Sequence, residues 1–292
     1  MVVFYMKKNI WNIQKKDHGK KILVFLKENT PELSIKELKW ALDHNFCLLN
    51  GRPERYSSTL LNEGDFLSLY PIDDFKIASQ QFNASSILHE DGDLLVYNKP
   101  AFLPSVGPHS LEELLKHERS IIFPVHRLDR DTTGVILFAK NRETQKKIEE
   151  VFKKRAVKKS YLAIVTNRPK TPSITIRNYV GEIKKEPGRV TFGVVNRDKG
   201  VLAETTLLHL KDLKIDGHPV SLLRCFPLTG RTHQIRVHLK SIGSPILGDA
   251  QYSGSIEPYS PHTLLHAESL EIFLNSTLYT FKAPPFHPFF NL

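Results

Sequence analysis

The carboxylate of Asp129 lies in the run His126-Arg127-Leu128-Asp129-Arg130-Asp131-Thr132-Thr133-Gly134, with guanidinium groups on both sides. A carboxylate so placed can act as a nucleophile or a general base. If the segment is extended, Arg127 and Asp129 share one face and His126 and Leu128 the other. Lys159-Ser160-Tyr161 sets a cation close to an aromatic ring, which suits a phosphate beside a stacked base. Thr229-Gly230-Arg231-Thr232-His233-Gln234-Ile235-Arg236-Val237-His238-Leu239 gathers guanidinium, hydroxyl, imidazole and amide groups. At a helix start such groups would receive a phosphate or a carboxylate. Read singly, the first two runs also fit a solvated charge cluster at a strand end and a core aromatic.

Groups of this kind need rigid elements behind them. Val135 to Ala139 is a continuous apolar run that predicts a central strand covered on both faces, entered through a tight turn at Thr132, Thr133 and Gly134. Glu143 to Arg155 predicts a helix with Ile148, Val151 and Phe152 on its buried face and Lys146, Lys147, Lys153, Lys154 and Arg155 around the rest. Tyr161 to Val165 reads as the next strand. Pro169 to Leu213 reads as strands alternating with charged turns at Lys184–Gly188 and Asn196–Gly200. Ile235, Leu239 and Ile242 fall at helical spacing and Gly243-Ser244-Pro245 stops the element, so Thr232, His233 and Gln234 are expected in a helix's first turn. Upstream, Ile22, Phe25 and Leu26 predict one helix, and Ser34 with Glu37 forms a capping box opening a second. Asn50-Gly51 and Gly64-Asp65 mark the turns of a following hairpin.

Together these runs resemble the RluA-type RNA pseudouridine synthases. That family carries His-Arg-Leu-Asp-x-x-Thr-Ser-Gly, matched at 126–134 with Thr133 for Ser, then Lys-x-Tyr at Lys159–Tyr161. Its third motif matches Thr229–Leu239 and Pro245–Gly248, and Asn98-Lys99-Pro100 is also typical of it. The resemblance implies an α+β fold: a mixed, mainly antiparallel sheet domain at 85–292, joined by a linker at 73–84 to an S4-like RNA-binding domain at 19–72, with an extension at 1–18. The family isomerises uridine in RNA to pseudouridine, detaching uracil at N1 and rejoining it through C5, without metal or organic cofactor. By the likeness Asp129 is the catalytic residue, Arg236 the buried arginine paired with it, and Tyr161 the ring against the target base. Arg127 helps displace the uridine and fills its place. Lys159, Arg231, His233 and Gln234, with Lys153, Lys154 and Arg155 nearby and Lys36 and Lys39 on the small domain, are expected to contact RNA.

The composition agrees with such a partner. A formal charge of +10 draws polyanions over a Debye length. Cys47 and Cys225, far apart and outside any ligand spacing, suggest neither a disulfide scaffold nor a zinc site. His126, His233 and His238 lack the spacing and acidic partner of a metal centre. No apolar stretch approaches a membrane span. The expectation is a cytoplasmic monomer acting on structured RNA, with 23S ribosomal RNA ahead of transfer RNA. The alternatives are an RNA-binding ribosome-assembly factor without turnover and a metal-dependent hydrolase that chelators would inhibit.

Overall fold

The run Thr133–Ala139 (β9) is buried at every position, and its alternation serves two cores at once. Val135, Leu137 and Ala139 pack with Ile148 and Ile272, while Ile136 and Phe138 pack with Leu115 and Leu128. The computed structural model describes residues 2–4, 8–72, 81–119, 121–186, 189–253 and 260–285. The expected linker, the extension and the turn at Lys184–Gly188 therefore lie partly outside the described residues.

Around β9 the described residues form a mixed twelve-stranded sheet. The strands it uses are β6 (Ile87–Glu90), β7 (Leu94–Lys99), β10 (Lys158–Val165), β11 (Ser173–Glu186), β12 (Arg189–Val195), β13 (Val201–Ile215), β14 (His218–Pro227) and β15 (Leu265–Leu274). Their order is β12-β11-β13-β14-β10-β15-β9-β7-β6. Three short strands join at the sides: β1 (Val2–Phe4) on β13, β8 (Phe123–Pro124) on β9 and β16 (Thr277–Lys282) on β15. Pairing is antiparallel except between β1 and β13 and between β15 and β9.

At the β15–β9 contact Ala267 stands opposite Gly134. Gly134 has φ +107°, and a Cβ there would collide with the Ala267 carbonyl, so only glycine allows the approach. Thr133 presents its hydroxyl to His266 Nδ1 at 2.8 Å, a bond that the serine of the family motif could also make. His266 Nε2 lies 3.1 Å from the Ala283 carbonyl, so its ring is a buried strut.

Helix α4 (Arg142–Lys153) is capped by the Asn141 side chain, which accepts from Thr144 N–H at 2.8 Å. It stops before Arg155, which takes φ 57°, so Arg155 lies just past the helix. Helix α5 (Gln234–Ser241) begins at Gln234, with His233 as a left-handed cap residue at φ 55°. The expected first turn is thus displaced, leaving Thr232 and His233 on the loop. Ile235 and Leu239 anchor α5 on β10 and β14 through Ala163, Leu223 and Cys225.

The small domain holds α1 (Ile22–Asn29), α2 (Ile35–Asp43), β3 (Cys47–Leu49), β4 (Arg52–Pro53) and β5 (Phe66–Leu69). Ser34 and Glu37 form the reciprocal capping box, worth about 1 kcal/mol, and Asn45 takes the left-handed φ of 65°. Asn9–Asn12 (β2), read from sequence as part of an extension, pairs with β5 instead. Trp11, edge-on to Phe25 at 6.0 Å, and buried Ile13 hold it there. Helix α3 (Leu111–Arg119) follows the 99–105 segment, with the Ser110 hydroxyl accepting from Glu113 N–H at 3.3 Å. No helix among the described residues is long and apolar enough to cross a membrane.

Candidate active site

The turn before β9, the start of β10 and the loop before α5 converge on one open pocket. Arg127, Asp129, Lys159, Tyr161, Arg231, His233, Gln234 and Arg236 all line it, although their runs are spread over more than a hundred residues. His126 is the post on which the first loop stands. Its Nε2 accepts from Leu137 N–H at 3.0 Å, and its ring stacks on Phe152 at 5.1 Å. Burial, with a smaller push from Lys159, lowers its pKa to about 3, so the imidazole is neutral and its tautomer follows from this bond.

Arg236 Nη1 donates to Asp129 Oδ2 at 3.0 Å, while its Nε and Nη2 donate to Asp249 Oδ2 and Oδ1 at 2.7 and 2.9 Å. One guanidinium thus bridges two carboxylates of different standing. Side-chain exposure is 21% at Asp129 and 0% at Asp249, so the first can meet a ligand and the second cannot. Burial works against the charge of Arg236, but hydrogen bonds and charge from Asp249, then Asp129, raise its pKa overall. The Asp129 Oδ1 atom has no hydrogen-bond partner among the described residues, which leaves an oxygen for chemistry.

Asp249 is fixed in turn by Gln251 N–H at 3.0 Å and Tyr252 N–H at 3.2 Å, just after Gly248, where φ is +77° and a Cβ would strike the His262 carbonyl. The Tyr252 hydroxyl accepts from Phe192 N–H at 3.1 Å and lies 2.8 Å from His233 Nδ1. Accepting from the Phe192 amide leaves the phenol proton able to bond Nδ1, an arrangement that would put the His233 hydrogen on Nε2. That atom lies 3.8 Å from Asp129 Oδ2. Burial first, and then the charge of Arg236, lower the His233 pKa.

Burial, with a smaller contribution from the Asp129 carboxylate, raises the Tyr161 pKa. The phenol therefore keeps its proton. Lys159 Nζ donates to the Thr229 carbonyl at 3.3 Å, and burial lowers its pKa to about 8. Arg127 and Arg231 are exposed at the rim.

Gln234 departs from its expected role as an RNA contact. Its Oε1 accepts from Thr229 Oγ1 at 2.6 Å and Arg231 N–H at 3.0 Å, and its Nε2 donates to the Glu204 carbonyl and Thr205 Oγ1, each at 2.9 Å. With both ends of the amide occupied, it ties the loop before α5 to β13. Lys153, Lys154 and Arg155 are exposed beside the pocket wall formed by Phe152, but none of them lines the pocket, and neither do Lys36 and Lys39 of α2. Asp249 and Tyr252 were missed by sequence reasoning; an acid directly after the Pro245–Gly248 run was the available signal.

A model of the RNA pseudouridylate synthase family matches residues 93–241. Ribosomal large subunit pseudouridine synthase C of Rickettsia prowazekii is 34% identical over 200 residues, 66% of this chain and 64% of the relative. The match thus spans less than two thirds of that relative's length. An uncharacterized RNA pseudouridine synthase of Synechocystis is 32% identical over 278 residues, covering 87% of this chain and 81% of the relative. Among solved structures, human RNA pseudouridylate synthase domain containing 1 superposes with a TM-score of 0.63 at 29% identity, covering 70% of this chain and 86% of that one.

Proposed function

The chain belongs to the RNA pseudouridylate synthase family, and on that premise we propose that it isomerises uridine in structured RNA to pseudouridine, with Asp129 as the catalytic carboxylate. The observation that carries this reading is the setting of Asp129, which has one oxygen held by Arg236 at 3.0 Å and lines the same pocket as Tyr161.

The target uridine leaves its stack at a cost of a few kcal/mol, Arg127 fills the space it vacates, and the protonated Tyr161 stacks on the uracil. Asp129 then either bonds to C1′ or removes the C2′ proton, and by either route the N1–C1′ bond breaks with its electron pair going to the base. The base turns and C5 bonds to C1′, as the Asp129–C1′ ester bond breaks on the first route or as the proton is returned to C2′ on the second. C5 loses its proton and N1 gains one, so atoms and electrons balance. With its hydrogen on Nε2, His233 would offer a donor beside the carboxylate to the detached base while that base carries negative charge.

The substrate we favour is 23S ribosomal RNA ahead of transfer RNA, a choice supported by the large-subunit names of relatives such as the Rickettsia protein. We read the small domain as S4-like, with Lys36 and Lys39 turned outward toward phosphates, and the enzyme as a cytoplasmic monomer. Lys159, Arg231 and the exposed group Lys153, Lys154 and Arg155 would track the backbone.

The test is tritium release from RNA labelled at uracil C5. Asp129→Asn is expected to bind RNA as the wild type does and to release no tritium; substantial turnover by the variant would remove the central assignment. A wild-type chain that binds structured RNA and releases nothing would be an assembly factor.

A further inference from the structure

From the last residue of β7 toward α3 the chain makes a short excursion, residues 99–105, that belongs to both domains. Ala101 and Phe102 are buried in the core of the small domain, with the Phe102 ring edge-on to Trp40 at 5.6 Å and to His44 at 5.3 Å. The next residue, Leu103, is buried in the other core together with Leu128. Phe102 takes φ 62°, a conformation that a bulky side chain keeps only where its surroundings over-determine it.

The same excursion grips the Asp129 loop from both sides. Ser105 Oγ accepts from Leu128 N–H at 3.0 Å and donates to the Leu128 carbonyl at 2.7 Å. Lys99, fully buried, donates to the carbonyls of Pro100, Leu103 and Arg130 at 2.8, 2.7 and 2.9 Å, which uses all the donors of an ammonium. The residues immediately before and after Asp129 are therefore fastened to the excursion. None of residues 99–105 lines the pocket, so what they do for a ligand they do through the loop.

We propose that the small domain positions the reaction centre: docked on Phe102, it holds residues 99–105 in the arrangement from which Lys99 and Ser105 set the Asp129 carboxylate against Arg236. The inference rests on Asp129 being the reacting group. It gives the small domain a task distinct from holding RNA, and it makes Phe102 a positioning residue.

The test uses the full chain with Phe102→Ala and the milder Phe102→Leu, both checked for folding by circular dichroism and thermal melting. Amide hydrogen exchange at 126–132 is followed alongside single-turnover tritium release and Kd, with ribosomal RNA from cells lacking this gene as the probe. Faster exchange in the loop is expected for Phe102→Ala. Its single-turnover rate should fall roughly 10- to 100-fold, as for a reacting group displaced by about 1 Å, with Kd nearly unchanged and Phe102→Leu between it and the wild type. Unchanged exchange, an unchanged rate or a loss confined to Kd would each overturn the proposal. If Phe102→Ala does not fold, Phe102→Leu decides by the same criteria. A wild type that releases no tritium would defeat the functional reading instead, and the exchange measurement would still decide whether Phe102 holds the loop.

Discussion

Helix α4 and the pocket beside it both concentrate positive charge, and they use it in opposite ways. On α4 the lysines pair along the helix surface, Lys147 with Glu143 at 2.7 Å and Lys154 with Glu150 at 3.7 Å, with every partner at least 43% exposed. Such pairs stabilise a helix by only ~0.3–0.5 kcal/mol each. In the pocket Arg236 is 11% exposed and answers two carboxylates, one of them wholly buried. Removing one member of that group strands a charge away from water. An ion pair thus matters little in one place and much in the other, and burial decides which.

Substitutions can break or sharpen the contrast. Arg236→Ala should have the largest effect: no measurable turnover, and a loss of about 3–5 kcal/mol in denaturant unfolding, because Asp249 is left buried and unpaired. Asp249→Asn keeps the shape but loses the charge-assisted grip, so a stability loss of roughly 1–3 kcal/mol is expected, together with a reduced kcat and little change in RNA affinity.

Lys159→Gln tests a cation of intermediate burial. Because burial lowers the Lys159 pKa to about 8, its charge is present below that pH and lost above it. Wild-type affinity for RNA should weaken as the pH rises through 8, and the variant should lack this step. Stability moves the other way. The folded state releases the proton before the unfolded state does, so the cost of burying the charge is relieved between about 8 and the ordinary value of 10.5.

The smallest effect is expected from replacing Lys153, Lys154 and Arg155 together by alanine. Folding and kcat should hold, affinity should fall modestly, and the slope of log K against log salt should flatten by roughly 2, at ~0.7 per phosphate contact.

The contrast also marks what the sequence could reveal. Asp129, Tyr161 and Arg236 sit inside contiguous runs whose order and spacing identify them. The strand β9 is legible because a wholly buried strand is a wholly apolar one. Asp249 stands one position beyond the Pro245–Gly248 run, and nothing in its spacing tells that it meets Arg236 across 13 positions. Gln234 shows the converse, since an amide at a helix start reads the same whether it faces a ligand or ties its own loop. The length of β13, 15 residues, was hidden by the register shift between His209 and Lys211, which breaks the alternation a strand displays. β2 escaped notice because its partner β5 lies more than fifty positions away.

The junction of β9 with β15 bears on the order in which the pocket is built. Thr133 and Gly134 pair with His266 and Ala267, and Leu265 walls the pocket, so a growing polypeptide carries Asp129 long before it owns the wall opposite. A contact joining such distant positions closes late in folding. A chain cut before residue 265 would therefore present the Asp129 carboxylate on an unfinished site, however well the loop around it folds.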